Sequence, residues 1–277
     1  MRTKFRAVLV ATTLSVAVAV VGCRSAETAK GGGVGADRQQ SALTRVTQAQ
    51  IRAGAVQAYA EDLAIERGNG ALDADAVMTG RVRTIADRLI AVTDAFRPDA
   101  PGWEWEVHLI RSDRENAWCM PGGKIAVYSG LITKFELTDD EIAAVLAHLI
   151  AHALREHARE RASELLDSGA FVEPAVAAPG AGQGTIDMAR LVNQVTLSLP
   201  YGRVYESEAD RMGVELAARA GYDPRASIRL WQKMAGAGGD REPEWSKMHP
   251  SDGSRIRELG MYSARGMPLY EQARRWR

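Results

Sequence analysis

Residues 146–157 read Leu146-Ala147-His148-Leu149-Ile150-Ala151-His152-Ala153-Leu154-Arg155-Glu156-His157. The run is apolar and rich in strong helix formers. Just upstream, Thr138 stands three residues before Glu141, a capping box, and Asp139 and Asp140 favour the same helix start. This spacing predicts one helix from about 138 to 166. On it His148 and His152 lie one turn apart and about 40° around the axis. Two imidazoles so placed can take adjacent corners of a tetrahedral metal site. Taken alone, such a pair is more often two partly exposed helix histidines making ordinary hydrogen bonds.

A second segment changes that balance. Glu206-Ser207-Glu208-Ala209-Asp210 begins 54 residues after His152, on a helix predicted over 204–220. Glu206 can supply an oxygen ligand. Asp210, one turn further on the same face, can accept the second ring N–H of a ligand histidine and fix its tautomer. A solvated acidic face is the alternative for both. Glu208 points elsewhere on that helix and is assigned no role.

Around these helices the pattern is mainly helical. Helices are expected from about 41 to 67 and 73 to 96, then near 185–198, 224–236 and 252–260. The β signal is confined to Trp103–Ile110, which alternates, and to a hairpin of 116–120 and 124–128 across Pro121-Gly122-Gly123. A Gly/Pro/Ala-rich stretch, 168–183, reads as a mobile loop. There is no internal repeat. The expected architecture is one α+β domain over 41–277, mainly helical, with a small sheet.

The N-terminus follows a different logic. Arg2, Lys4 and Arg6 precede residues 7–22, which are almost wholly apolar. Sixteen residues are short for a spanning helix, which needs ~20, and suit an export signal. The stretch ends Val20-Val21-Gly22-Cys23, which resembles a bacterial lipobox, so 1–22 is expected to be a signal peptide and Cys23 the lipidated residue. An uncleaved N-terminal anchor is the alternative. Either puts the rest outside the cytoplasm, tethered to a membrane. Arg24 after the cysteine, by analogy with Gram-negative lipoproteins, points to the periplasmic side of the outer membrane. Residues 23–40, with Gly31-Gly32-Gly33 and Gly35, read as a flexible tether. With Cys23 lipidated, Cys119 has no intramolecular partner and is expected to be buried as a small apolar residue. The 35 basic and 35 acidic side chains cancel, and no Lys/Arg run marks a nucleic-acid groove.

In this order and spacing the motifs resemble the membrane-associated zinc metallopeptidases related to HtpX and to the outer-membrane quality-control proteins BepA and LoiP. The resemblance spans 41–265. It is carried by Asn116–Gly130, Leu146–His157, Glu206–Asp210, Ala220-Gly221-Tyr222-Asp223-Pro224 and His249-Pro250. It implies a gluzincin-type fold and one Zn2+ held by His148, His152 and Glu206. It also implies Asp210 behind the ligands, and His249 near the metal as a ligand or an oxyanion stabiliser. The family motif is His-Glu-x-x-His, and here Leu149 stands in the glutamate's place. That glutamate is the general base, not a ligand; it takes a proton from the attacking water and passes it toward the leaving amine. Leucine can do neither.

Three functions remain open on sequence. The first is a lipid-anchored zinc protein with little or no proteolysis, binding extended or misfolded envelope proteins through a strand edge. The second is an active peptidase using Glu156 or His249 as base, although Glu156 lies a full turn, ~5.4–6 Å, beyond His152. The third is a metal-free scaffold lipoprotein. His157 is expected to point away from the ligand stripe, and His108 to be a packing residue.

Overall fold

The computed structural model of the chain describes residues 29, 33, 38, 40, 45–170, 183–236, 243–250 and 253–275. Thr47 opens helix α1 (Gln48–Gly68) with a capping box to Gln50, and Asp75 caps α2 (Ala76–Ile90) through Met78 N. A short sheet follows: β1 (Glu106–Ile110), β2 (Ala117–Met120) and β3 (Lys124–Tyr128), in the order β1-β3-β2. β2 and β3 form the expected hairpin, with Cys119 opposite Ile125, while β1 runs parallel to β3.

Two short helices, α3 (Ser129–Lys134) and later α9 (Glu244–Met248), have no counterpart in the sequence reading. Between them run α4 (Asp139–Leu154), α5 (His157–Asp167), α6 (Gln183–Asn193), α7 (Arg203–Arg219) and α8 (Ala226–Gly236); α10 (Gly253–Arg275) closes the fold. The architecture is mainly helical with one small sheet, as expected.

The strands sort the core by their period of two. Cys119, Ile125 and Val127 face an apolar cluster shared with α2, α4 and α7, whereas Trp118, Ala126 and Tyr128 face a second cluster shared with α1 and α6. Cys119 is buried and free, as expected. α4 lies between the sheet and α7. Its approach to α7 is permitted by Gly213: a Cβ there would sit 3.0 Å from the backbone N and Cα of His148. The two helices that carry His148, His152 and Glu206 therefore touch backbone to backbone.

Six expectations need correction. The first helix starts at Gln48 rather than near 41, and the second ends at Ile90 rather than 96, before a 3-10 turn at Thr93–Ala95. The helix from Thr138 does not run to 166. It ends at Leu154, and Glu156 takes a left-handed conformation (φ 53°) before α5 restarts at His157. The strand begins at Glu106, not Trp103, because Trp103 follows a 3-10 turn and stacks on Trp105 at 5.4 Å. The helix expected over 185–198 ends at Asn193, and a π turn covers Gln194–Ser198. The last helix runs on to Arg275 through Pro268. Pro268 and Ala264 are exposed, so water can reach the carbonyl that the proline leaves without a donor.

Residues 1–22, Cys23 and 171–182 lie outside the described residues. Two residues of the expected tether do not hang loose. Arg38 pairs with Glu160 (2.8 Å) and Glu208 (3.0 Å), and the Gln40 amide donates to Arg155 O (2.6 Å) and Glu160 (2.9 Å). Among the described residues no helix is long and apolar enough to cross a membrane.

Candidate metal centre

α4 presents His148 and His152 on the face that meets α7, and α7 presents Glu206 from its first turn. His249 enters from the end of α9. Its N–H bonds Trp245 O (2.9 Å), and Arg255 donates to the His249 and Pro250 carbonyls (3.0 Å each), which pins the segment in place. The four residues are buried, and one donor atom from each lies within 4.8 Å of the others. His148 Nε2 is 3.1 Å from both His152 Nε2 and His249 Nδ1. Glu206 is 2.9 Å from His249 Nδ1 and 3.4 Å from each of the other two ring nitrogens.

The groups behind the donors orient their lone pairs. Asp210 accepts from His148 Nδ1 at 3.0 Å, the contact expected of it, which leaves His148 Nε2 facing the centre. His152 is set by a relay. Its Nδ1 meets His157 Nδ1 at 2.9 Å, and His157 Nε2 donates to Glu208 at 3.0 Å. With the proton of His157 on Nε2, its Nδ1 accepts from His152, and His152 Nε2 is left bare. These tautomers follow from the bonding network.

So His157 points back under His152 rather than away from it, and Glu208, given no role on sequence, anchors the relay. The cause is the break at Glu156, which restarts the helix in a new direction. No sequence signal marks that break, because the left-handed residue is a glutamate and not a glycine. Glu208 also holds Arg155 at 3.1 Å. Burial would push its carboxyl up, but hydrogen bonds from His157 and Arg38 and the charge of Arg155 pull it down to about 2.

Electrostatics favour bare nitrogens on His152 and His249. Burial pushes His152 well below its ordinary pKa, and burial also lowers His249 despite the neighbouring Glu206. Burial would push the Glu206 carboxyl up, yet His249, Arg255 and His148 hold it well below the usual range. His148, against its burial, is raised by Glu206 and Asp210. Arg255 is the third unanticipated residue. It forks onto Asp210 (2.7 and 2.8 Å) and reaches Glu206 Oε2 at 2.7 Å. That last contact lacks hydrogen-bond geometry, and Glu206 Oε2 is left buried with no hydrogen-bond partner. Tyr201 stacks on His249 (5.4 Å, 10°) and Trp245 packs at 4.3 Å, so the rings are walled from water.

Three ring nitrogens and a carboxylate turned toward one point can hold a metal ion. The sequence agrees with a family in which such a centre is expected. The profile of peptidase family M48 matches residues 77–262. The chain belongs to peptidase family M48. Among M48-type curated relatives, it is 33% identical to the mitochondrial metalloendopeptidase OMA1 of Arabidopsis thaliana, over 57% of this chain and 31% of that one. The OMA1 of Bos taurus is 34% identical over 62% of this chain and 36% of its own length. A β-barrel assembly-enhancing protease of Yersinia pestis is 30% identical over 69% of this chain and 40% of its own. The chain thus spans about a third to a half of the length of the relatives it matches.

The remaining residues singled out on sequence are placed elsewhere. Leu149 is 3% exposed and belongs to the apolar core of the M48 domain. Glu156 is bracketed by Arg97 and Arg159, each at 2.6 Å, and these hold its carboxyl below the usual range against burial. His108 bonds Asp73 at 2.6 Å on β1 and does not join the donor cluster.

Proposed function

We propose that this M48 protein is a zinc-binding, lipid-anchored protein of the cell envelope that has little or no proteolytic power and binds unfolded or misassembled envelope proteins. The observation that carries the reading is Leu149. It adjoins His148 where the family resemblance puts the general base, and it is buried and apolar. The donor set suits zinc in hardness. Zn–N bonds of ~2.0–2.1 Å arranged tetrahedrally put ligand atoms about 3.3–3.4 Å apart. With Oε1 as the Glu206 donor, four of the six separations are 2.9–3.4 Å. The Glu206 carboxyl, held well below its usual range although buried, supplies the anionic oxygen such an ion would take.

Zinc, when bound, would act as a Lewis acid. The chain's own residues then do the rest. His148, His152, Glu206 and His249 would hold the ion. Asp210 and His157 would fix the tautomers. Four protein donors make the closed set typical of structural sites, where catalytic sites keep one position open. An alternative base gains no support: Glu156 has both oxygens on arginines, and His249 is itself a donor.

The anchor and the outer-membrane placement rest on residues 7–24. Client binding rests on the family. It does not rest on a strand edge: β3, the strand before α4, is central and paired on both sides, and the 194–198 turn packs against β2.

The test is zinc content and casein cleavage by the full chain purified in detergent. One zinc per chain with no cleavage above background is expected; robust cleavage abolished by a chelator would refute the reading. In a Gram-negative host, Cys23→Ser should move the protein out of the outer-membrane fraction. Unchanged fractionation would rule out the lipid anchor.

A further inference from the structure

The stretch that follows Cys23 is tied to the back of the metal centre. Arg38 stands between α5 and α7 and grips one carboxylate from each. Its Nη1 and Nη2 donate to the two oxygens of Glu160 on α5, at 2.8 Å each. Its Nε and Nη2 donate to the two oxygens of Glu208 on α7, at 3.0 and 3.2 Å. Both carboxylates are buried. Gln40, buried beside them, donates to Glu160 (2.9 Å) and to Arg155 O (2.6 Å). Arg155 in turn donates to the carbonyls of Ala29 (3.2 Å) and Arg38 (2.9 Å). The Arg38 guanidinium also lies 5.5 Å from the Tyr205 ring centroid, and that ring packs on His157 at 5.0 Å.

The gap that Arg38 closes is the one the relay crosses. His157 belongs to α5 and Glu208 to α7, and the His157 Nε2–Glu208 bond of 3.0 Å joins them. One step nearer the centre, His157 Nδ1 accepts from His152 Nδ1 at 2.9 Å. Glu160 and Glu208 are like charges that share one cation. Without it they would repel across the gap, and a buried carboxylate that loses its counter-ion costs far more than an exposed one. The two-pronged hold on each carboxylate fixes direction as well as distance, which a lysine ammonium cannot do.

Partners behind a ligand imidazole commonly govern 10–100-fold (order of magnitude ~) in metal affinity. Resting on the zinc-binding reading above, we infer that Arg38 is a positioning residue for the metal. By clamping Glu208 against α5 it holds His157, and through His157 it keeps the His152 Nε2 lone pair on the donor point. The stretch after Cys23 is then a working part of the metal centre and not an inert spacer.

A double-mutant cycle on zinc affinity tests this, with the full chain in detergent competing for zinc against a chromogenic chelator. Arg38→Gln should weaken zinc binding about tenfold, and His157→Phe by about tenfold to a hundredfold. The double variant should bind no worse than His157→Phe alone, because both residues act through one relay. A strap that merely stiffened the fold would give losses that multiply. Arg38→Lys, which keeps the charge without the fork, should recover part of the loss. Unchanged affinity in Arg38→Gln, or independent losses in the double variant, overturns the assignment and leaves zinc binding standing. No zinc in the wild-type chain overturns both. Should Arg38→Gln fail to fold, Arg38→Lys decides, and wild-type affinity there counts against the fork. Glu208→Gln takes the place of His157→Phe in the cycle should that variant not fold.

Discussion

Leu149→Glu raises casein cleavage by the metal-loaded chain about 10²–10⁴-fold and leaves its zinc content unchanged. The range corresponds to roughly 2.7–5.5 kcal/mol of barrier, the contribution of a positioned proton acceptor and donor. The helix tolerates the change, since glutamate and leucine have similar helix propensities. The donors His148, His152, Glu206 and His249 are untouched, as are Asp210 and the His157–Glu208 relay behind them. What the substitution adds is a group that titrates where the native residue cannot. It also places a carboxylate at a position 3% exposed, so some stability should be lost, and the assay belongs well below the melting temperature. Cleavage that stays at the native background in a variant with full zinc would show that something other than residue 149 silences the centre. The closed donor set would then be the cause.

Removing the metal has the second large effect. A ligand that binds only the folded state stabilises it by about 4.1 kcal/mol when present at 1,000 times its Kd. For a domain of this size each kcal/mol moves Tm by about 2–4 °C. Chelation should therefore lower Tm by about 8–16 °C. The reason lies in the donors themselves. Without an ion, three buried imidazoles crowd together, with His148 Nε2 at 3.1 Å from a ring nitrogen of both His152 and His249, beside the Glu206 carboxylate. His148→Ala should show a similarly lowered Tm and no longer respond to chelator. Differential scanning fluorimetry with and without chelator checks both. A wild-type Tm that ignores the chelator would favour the metal-free scaffold reading instead.

The parts of the fold legible in the sequence were those written in local chemistry. The Thr138–Glu141 capping box marks the start of α4, the β2–β3 hairpin follows from Pro121-Gly122-Gly123, and α7 begins within a residue of its expected place. His148, His152, Glu206 and Asp210 could be put on facing helices because each pair shares a helical repeat. The parts that were not legible depend on one unusual residue or on distant partners. Glu156 breaks a helix that its propensity would continue, and the arginines that hold it, Arg97 and Arg159, lie on other elements. His157 and Glu208 become neighbours only after that break. Trp103 and Trp105 alternate as a strand would, yet they stack on each other. His249 and Arg255 arrive from the end of the chain, and no spacing rule predicts that they reach α4 and α7.

The pinned N-terminal stretch sets a working radius. Ala29 is buried, and its carbonyl accepts from Arg155 at 3.2 Å. Only six peptide units separate it from Cys23, and six extended residues span at most about 20–22 Å. With lipid on Cys23, the leash would therefore be short. The M48 domain would ride within about a helix length of the bilayer surface, unable to swing out across the compartment. A client would have to be met at the membrane, as it emerges or fails to insert, and diffusion of the domain would be confined to two dimensions.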